Sequence, residues 1–231
     1  FFRISRALHS PDHQLFAFSV DTQGSELYTI RIVDIETRNI IDECIKEAAG
    51  SFEWSSDSAS LIYTSVDANY RPNSVYRHVV GNPQGQDELI YEETDSGFFV
   101  SILKTECKSF FVINAHDHQT SESYLLSADN SNARPRLILK RETGVEYNVT
   151  TLDDKLFIHT NSGDSEDFKI VCCELNNPSK RYWTDFIPHR PGRLITKMYL
   201  LRHHLVWLER AEGIPILMVR NLINGAEHAV T

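Results

Sequence analysis

Serine side chains are the first candidates for chemistry, because a hydrolase serine often sits in a Gly-x-Ser-x-Gly turn between a strand and a helix. The sequence contains no such pentad. Gly50-Ser51-Phe52-Glu53 lacks the second glycine, and Ser101 and Lys104 have Ser-x-x-Lys spacing in a strand-rich repeat without its partner motifs. We therefore predict that this chain carries no catalytic residue.

Histidines are the next candidates, since two imidazoles on one strand face can begin a metal site. His116 and His118 alternate in this way, but the polar residues around them are typical of a solvated loop. His203-His204 is interpreted in the same way. Because a metal site also needs a third ligand and supporting groups, we predict neither a metal nor a cofactor.

The four cysteines, Cys44, Cys107, Cys172 and Cys173, include no Cys-x-x-Cys pair. Cys172 and Cys173 are adjacent in an apolar run, so on a strand their side chains would point to opposite faces. This pattern favours small apolar side chains in a reducing compartment, and we expect a cytoplasmic protein.

The formal net charge of −9 argues against a nucleic-acid partner, because binding phosphates needs a face of lysine and arginine. The sequence has no stretch near the ~18 apolar residues that span a bilayer, so we expect no membrane partner. Residues 1–6 lack the features of a signal peptide, and there is no initiator methionine. We expect the chain to begin inside a longer protein.

One short apolar strand recurs along the chain with an almost constant spacing. Successive copies begin 46, 49, 46 and 49 residues apart, at Leu15, Leu61, Phe110, Leu156 and Leu205. Polar turn-forming segments precede them, among them Ser10-Pro11-Asp12 and Ser55-Ser56-Asp57. A period of roughly 40–50 residues is typical of β-propeller blades.

Each repeat has room for four short strands, which is the content of one blade. No longer helical periodicity interrupts the series; residues 43–49 could form a short helical turn, although a loop is favoured. We predict an all-β fold, a β-propeller of four-stranded antiparallel blades. The five blades are expected at residues 1–45, 46–94, 95–142, 143–190 and 191–231.

Four charged residues, Glu53, Arg71, Arg77 and Glu122, lie in or beside predicted strands. They could line a propeller tunnel or face another domain, or they could form ion pairs between blades, which contribute about 0–1 kcal/mol when exposed. We favour the ion pairs and predict no substrate ligand. The turns also lack the glycine, threonine and tryptophan of sialidase-type propellers, which argues against a glycosidase.

Several short segments carry a more specific signal through their order and separation. They are Ser10-Pro11-Asp12, Phe18-Ser19-Val20-Asp21, Tyr28-Thr29-Ile30-Arg31, Arg71-Pro72-Asn73-Ser74-Val75-Tyr76-Arg77-His78, Gly81-Asn82-Pro83, Leu89-Ile90-Tyr91-Glu92-Glu93, Thr120-Ser121-Glu122, Leu125-Leu126-Ser127-Ala128-Asp129 and Gly144-Val145-Glu146-Tyr147. Through these ordered segments, nearly the whole chain resembles the propeller domain of the prolyl oligopeptidase family of serine peptidases. Within that family, the resemblance is to the oligopeptidase B (protease II) branch.

The resemblance implies a seven-bladed propeller that caps an α/β-hydrolase domain of the same parent chain. In such proteins the catalytic serine, aspartate and histidine belong to the hydrolase domain, and the propeller restricts entry to short peptides. The oligopeptidase B branch cleaves after lysine or arginine, so short basic peptides would be the substrates of the parent protein. This chain has about five predicted blades instead of seven, and it has no hydrolase domain. The comparison indicates that it is a fragment of such a protein. The alternative is a stand-alone propeller that serves as a protein-interaction scaffold.

Overall fold

The computed structural model describes residues 1–230, and for residues 42–44 it describes the backbone alone. Thr231 and the side chain of Cys44 therefore lie outside the described part. The strands are β1 (Arg3–His9), β2 (Leu15–Asp21), β3 (Tyr28–Asp34), β4 (Ile40–Trp54), β5 (Ser60–Val66), β6 (Pro72–Val79), β7 (Glu88–Glu92), β8 (Phe99–Lys104), β9 (Phe110–His116), β10 (Ser121–Ser127), β11 (Arg136–Leu139), β12 (Tyr147–Leu152), β13 (Lys155–Thr160), β14 (Lys169–Glu174), β15 (Thr184–Ile187), β16 (Arg193–Leu201), β17 (His204–Ala211), β18 (Ile214–Asn221) and β19 (Glu227–Ala229).

Strands that follow one another in the chain are hydrogen-bonded neighbours throughout. β8–β11, β12–β15 and β16–β19 each form a four-stranded sheet, and β1–β7 form a seven-stranded one. The pairings are antiparallel, as expected for strands joined by short connections. Two short 3₁₀ turns, Gln84–Gln86 and Lys180–Tyr182, are the helical elements of residues 1–230. The all-β prediction with four-stranded antiparallel sheets is confirmed.

The recurrent apolar segment of the sequence forms β2, β5, β9, β13 and β17, which lie inside their sheets. Their central residues are buried, for example Ile62 at 1 %, Ile158 at 0 % and Trp207 at 0 % exposure. A fully buried side chain of this size contributes about 1.5–3 kcal/mol relative to exposure. The repeat therefore marks interior strands with buried centres.

The prediction for residues 43–49 is wrong, because these residues are neither a loop nor a helical turn but part of β4. Ile45 pairs with Ile30 and Ala48 with Tyr28, with register shifts between them. Both Ile45 and Ala48 are fully buried. Their spacing of three, which resembles a helical period, arises because a register irregularity adds a residue to one strand.

The described chain divides into two compact units, each with its own core. Unit 1 comprises Phe1–Lys104, Lys108–Asp117 and Leu125–Arg136, and its largest buried side chains include Phe52, Trp54 and Tyr63. Unit 2 comprises Thr105–Cys107, His118–Tyr124 and Leu137–Thr231. In that unit Trp207 packs in a cluster with Phe157, Ile170 and Leu205.

Gly50 occupies a backbone conformation that strongly favours glycine. Its φ is +91°, and a Cβ placed there would lie 2.8 Å from the Ser5 hydroxyl oxygen and 3.0 Å from the Tyr28 ring. Gly213 has a similar φ of +81° but no atom within 4 Å of such a Cβ. The two glycines share the conformational requirement and differ in crowding.

We expect Gly50→Ala to lower the free energy of unfolding by about 2–4 kcal/mol, because it adds a steric clash to the cost of a positive φ. Gly213→Ala is the matched control and should lose only about 1 kcal/mol. Urea unfolding followed by tryptophan fluorescence measures both variants. If both variants lost the same free energy of unfolding, the steric clash expected at Gly50 would have no energetic cost, and the prediction would be wrong.

Candidate functional site

The Ser10-Pro11-Asp12 segment forms the tight turn predicted from its composition. The Ser10 hydroxyl donates to Asp12 Oδ1 at 2.5 Å, and the backbone N–H of Leu15 donates to Ser10 Oγ at 2.9 Å. The Ser10 hydroxyl, followed by the Gln14 backbone N–H, lowers the pKa of the Asp12 carboxyl. His13 takes a φ of 62° within the turn. These polar groups are therefore used to close the turn.

The second copy of the turn repeats this geometry. Ser55 Oγ donates to Asp57 Oδ1 at 2.6 Å, and Ser58 takes the positive φ of 63°. The backbone N–H of Asp12 in the first turn donates to Ser58 Oγ at 3.2 Å. The turns before β2 and β5 therefore bind each other, which assigns them a structural role.

The third copy replaces the serine and aspartate with Thr105 and Cys107. Thr105 Oγ1 lies 3.2 Å from Cys107 Sγ, which also lies 3.2 Å from Thr151 Oγ1. Lys108 takes the positive φ of 63°. The backbone of the turn is thus kept although its carboxylate has become a thiol.

Glu53, one of the four charged residues singled out in the sequence, forms an ion pair with Arg6. Burial raises the pKa of the Glu53 carboxyl, and the positive charges of Arg6 and Lys104 offset only part of that effect. Lys104 Nζ donates to the backbone oxygen of Trp54 at 2.7 Å. Strands β1, β4 and β8 supply these three charges.

Arg71 and Arg77 also bind carboxylates within unit 1. Arg71 Nε donates to Asp67 Oδ2 at 3.1 Å, and its Nη1 donates to the Phe98 backbone oxygen at 3.1 Å. Arg77 Nη1 donates to Glu88 Oε2 at 2.7 Å and also binds the backbone oxygen of Ser131. Both guanidinium groups thereby hold backbone segments in place.

Glu122 accepts three hydrogen bonds within unit 2. The Tyr124 hydroxyl donates to Oε1 at 2.7 Å, the Arg141 backbone N–H donates to Oε2 at 2.9 Å, and the Arg141 guanidinium donates to Oε1 at 3.2 Å. Burial, the largest single influence, would raise the pKa of the Glu122 carboxyl, but these bonds together lower it. All four charged residues from the sequence analysis are thus ion-paired. Only the Glu53–Arg6 pair joins residues of two predicted blades, whereas the partners of Arg71, Arg77 and Glu122 lie within the same predicted blade, so the expectation of pairs between blades is wrong for these three.

A buried polar network in unit 1 escaped the sequence analysis. Asp87 accepts the Tyr63 hydroxyl at 2.8 Å through Oδ2, and its Oδ1 lies 2.8 Å from His78 Nδ1. The side chains of His78 and Asp87 are only 2 % and 3 % exposed. Asp87 lies in a turn-rich segment beyond β6, where nothing in the sequence indicates a buried partner.

A second unpredicted cluster surrounds Glu209 in unit 2. Its side chain is fully buried, and its two oxygens accept hydrogen bonds from Arg190 and Arg193, each at 2.6 Å. The Trp207 indole N–H also donates to Glu209, at 3.1 Å. The alternation of Trp207 and Glu209 on β17 was a sequence signal that both side chains share a sheet face.

The histidines predicted to lie in loops are placed differently by the structure. His116 ends β9 and His204 begins β17, so these two assignments are wrong, whereas His118 and His203 lie outside the strands. His204 pairs with Leu201 of β16 and with Asn221 of β18. It therefore forms the end of both the β16–β17 and the β17–β18 pairing. Among residues whose side chains are described, no three histidine, cysteine, aspartate or glutamate side chains are grouped as metal ligands.

The remaining reactive side chains have ordinary surroundings. Cys107, Cys172 and Cys173 form no disulfide in the described part of the chain, and burial raises the pKa of Cys173 to about 11. Cys172 and Cys173 are adjacent in β14, as predicted. Within the described residues, neither Ser51 nor Ser101 has a hydrogen bond to a histidine side chain.

Repeated antiparallel sheets joined by interlocking polar turns define a protein of the β-propeller class. The family model described as "Prolyl oligopeptidase, N-terminal beta-propeller domain" matches residues 1–231. The chain therefore belongs to the prolyl oligopeptidase family, as the sequence motifs indicated. In residues 1–230 no helix is long and apolar enough to cross a membrane.

Three known proteins illustrate the similarity. Dipeptidyl aminopeptidase BI of Pseudoxanthomonas mexicana is 30% identical over 91% of this chain and 29% of its own length. Protease 2 of Moraxella lacunata is 30% identical over 90% of this chain and 30% of its own length. The structure of oligopeptidase B from Leishmania major matches with a TM-score of 0.95 and 26% identity, over 100% of this chain and 34% of that one. This chain thus spans about a third or less of each of these proteins.

We expect Glu122→Gln and Glu53→Gln to change the pH dependence of stability in opposite directions. The folded-state pKa of Glu122 is lowered, so its stabilisation is present above the unfolded pKa of about 4.3 and is lost as the pH falls through the folded value. Glu122→Gln should therefore cost about 1–3 kcal/mol at pH 7 and progressively less in acid.

The pKa of Glu53 is raised, so its contribution is present below the unfolded pKa and is lost as the pH rises through the folded value. The stability of Glu53→Gln relative to the unsubstituted protein should therefore improve with rising pH. Urea unfolding at a series of pH values tests both, with the exposed Glu36→Gln as control. Parallel pH profiles for the two variants would contradict the assigned environments.

Proposed function

We propose that this chain is the gating propeller of an oligopeptidase B-like serine peptidase that cleaves short peptides after lysine or arginine. Catalysis would belong to an α/β-hydrolase domain of the same parent chain, in the cytoplasm. The observation that carries the proposal is the propeller-domain match over all 231 residues, combined with coverage of only about 30% of the peptidases it resembles.

We further propose that the chain contains five blades, with the boundaries expected from the repeat. The seven-stranded sheet would then be two blades that share β4. Residues Ile40–Ala48 of β4 pair with β3, whereas Ala48 and Phe52–Trp54 pair with β5. Gly50 and the register shift between Ala48 and Phe52 follow the last residue that pairs with β3, which supports a boundary there.

Exposed apolar side chains on the outermost sheets support a parent propeller with more blades. Phe16 on β2 is 38 % exposed, and Tyr199 on β16 and Leu217 on β18 are 46 % and 39 % exposed. Large side chains on a sheet face are normally covered by a packed layer. Further blades would cover these faces, as in the seven-bladed ring that the family resemblance implies.

The internal use of charge supports a shielding role for this chain. Glu53, Arg71, Arg77 and Glu122 are all engaged in ion pairs within their own unit. Such pairs fix the positions of strands and loops. A propeller that excludes large substrates needs strands and loops that keep their positions. Specificity for lysine and arginine would arise outside these residues. A relative named protease 2 and a structure named oligopeptidase B support the oligopeptidase B branch, to which the sequence resemblance attributes that specificity.

We expect the 231-residue chain alone to hydrolyse no short arginine or lysine peptide, because the nucleophile would lie in another domain. Release of a fluorescent leaving group from a dipeptidyl-arginine substrate measures this. Turnover that copurifies with the chain and disappears in a Ser51→Ala or Ser101→Ala variant would contradict the proposal.

In the full-length protein, size selection should appear as a loss of kcat/KM when a cleavable peptide is attached to a folded carrier. We expect a decrease of at least about a hundredfold, since the attached peptide could not enter a closed propeller chamber. The same peptide released from the carrier is the control. Equal kcat/KM values for the two forms would remove the gating role, and activity on neither form would favour the scaffold alternative.

A further inference from the structure

A cavity of about 540 Å³ opens in unit 2 beside the turns that join β12 to β13 and β16 to β17. Its volume lies in the range of roughly 300–1,000 Å³ that is usual for ligand pockets. We call it the β13–β17 cavity. The four charged residues discussed above are not among its lining residues.

The floor of the β13–β17 cavity is aromatic. Phe157 and Phe186 meet edge to face, with ring centroids 5.2 Å apart and an interplanar angle of 88°. The Arg220 guanidinium lies 5.0 Å from the Phe186 ring centroid and donates to the Phe186 backbone oxygen at 2.6 Å. Phe157 is 4 % exposed and Phe186 is half-buried. The floor is therefore held in place before any ligand arrives.

The rim of the cavity carries charge of both signs. Asp153, Asp154 and Glu174 contribute three carboxylates beside a single ammonium, Lys155, which is the ladder partner of Glu174. None of these four side chains forms an ion pair with another described residue. The three carboxylates are exposed and can bind a cationic group, whereas Lys155 cannot.

Another segment of the lining is basic. Arg202 and His203 lie in the turn between β16 and β17, and the backbone oxygen of His203 accepts the N–H of Leu222 at 2.9 Å. This bond fixes the turn against the segment after β18. Arg202 is exposed and has no ion-pair partner among the described residues. An anionic group at this end would therefore meet a guanidinium able to bind a carboxylate through two parallel hydrogen bonds.

We propose that the β13–β17 cavity binds short peptides. Arg202 would bind the C-terminal carboxylate, the carboxylates of Asp153, Asp154 and Glu174 would bind an amine or basic side chain, and an apolar side chain would cover Phe157 and Phe186. Carboxylates, a guanidinium and an aromatic pair line one cavity, and these groups complement the amine, the carboxylate and an apolar side chain of a small peptide. The inference rests on the proposed function only for the choice of peptides as ligands.

The test is a titration of the 231-residue chain with the tripeptide Lys-Phe-Ala, followed by isothermal calorimetry and by the fluorescence of its tryptophans. The C-terminal amide of the same peptide is the second probe. We expect the amide to bind about three- to tenfold more weakly, the effect of one partly exposed ion pair. Arg202→Gln should weaken binding of the free acid by a similar factor, and amidation should then make little further difference.

Arg210→Gln is the matched control, because Arg210 is exposed on the same hairpin but does not line the cavity. It should bind both peptides like the unsubstituted chain. No saturable binding at millimolar peptide, equal affinity for acid and amide, or equal weakening by Arg210→Gln would each overturn the proposal. The titration contains no hydrolysis step, so a failure here leaves the proposed peptidase function standing, and the carrier experiment above tests that function separately.

Discussion

The antiparallel sheet with a completely buried interior strand is the constraint on which this structure depends. β5 and β13 each present a run of buried residues on both faces. A strand of this kind is stable only when packed layers cover the sheet on both sides. The chain meets that requirement by repeating the same four-stranded content at intervals of 46–49 residues.

Polar side chains then fix turns and neighbouring strands within the sheets. The Ser55 and Asp57 turn closes the entrance to β5, and Ser58 binds the preceding turn. Glu209, fully buried on β17, binds two arginines that precede and begin β16. A buried carboxylate in such a position needs partners, since losing one would leave an uncompensated charge. These charged groups hold turns and strands in fixed positions. The proposed gating function requires such a fixed arrangement.

The sequence predicted the fold better than it predicted individual contacts. Apolar runs of four residues at a constant period located β2, β5, β9, β13 and β17 directly, because burial of an interior strand leaves a local pattern. β4 was missed in part because its register irregularity places Ile45 and Ala48 on the same buried side, which imitates a helix.

The side-chain networks were harder to predict because their partners are distant or lack a periodic signal. His78 and Asp87 belong to β6 and the turn after it, and nothing in their spacing indicates that they meet. Glu53 and Arg6 are 47 residues apart, about one repeat, and no local pattern indicates that β1 and β4 bring them together. The β13–β17 cavity depends on three separate turns and has no counterpart in any local motif.

The central claim is that the reactive serine lies outside this chain. Labelling the full-length protein with a fluorophosphonate, followed by proteolysis and mass spectrometry, locates that serine directly. The account predicts a modified peptide from beyond residues 1–231. A label on a serine within these residues would contradict it.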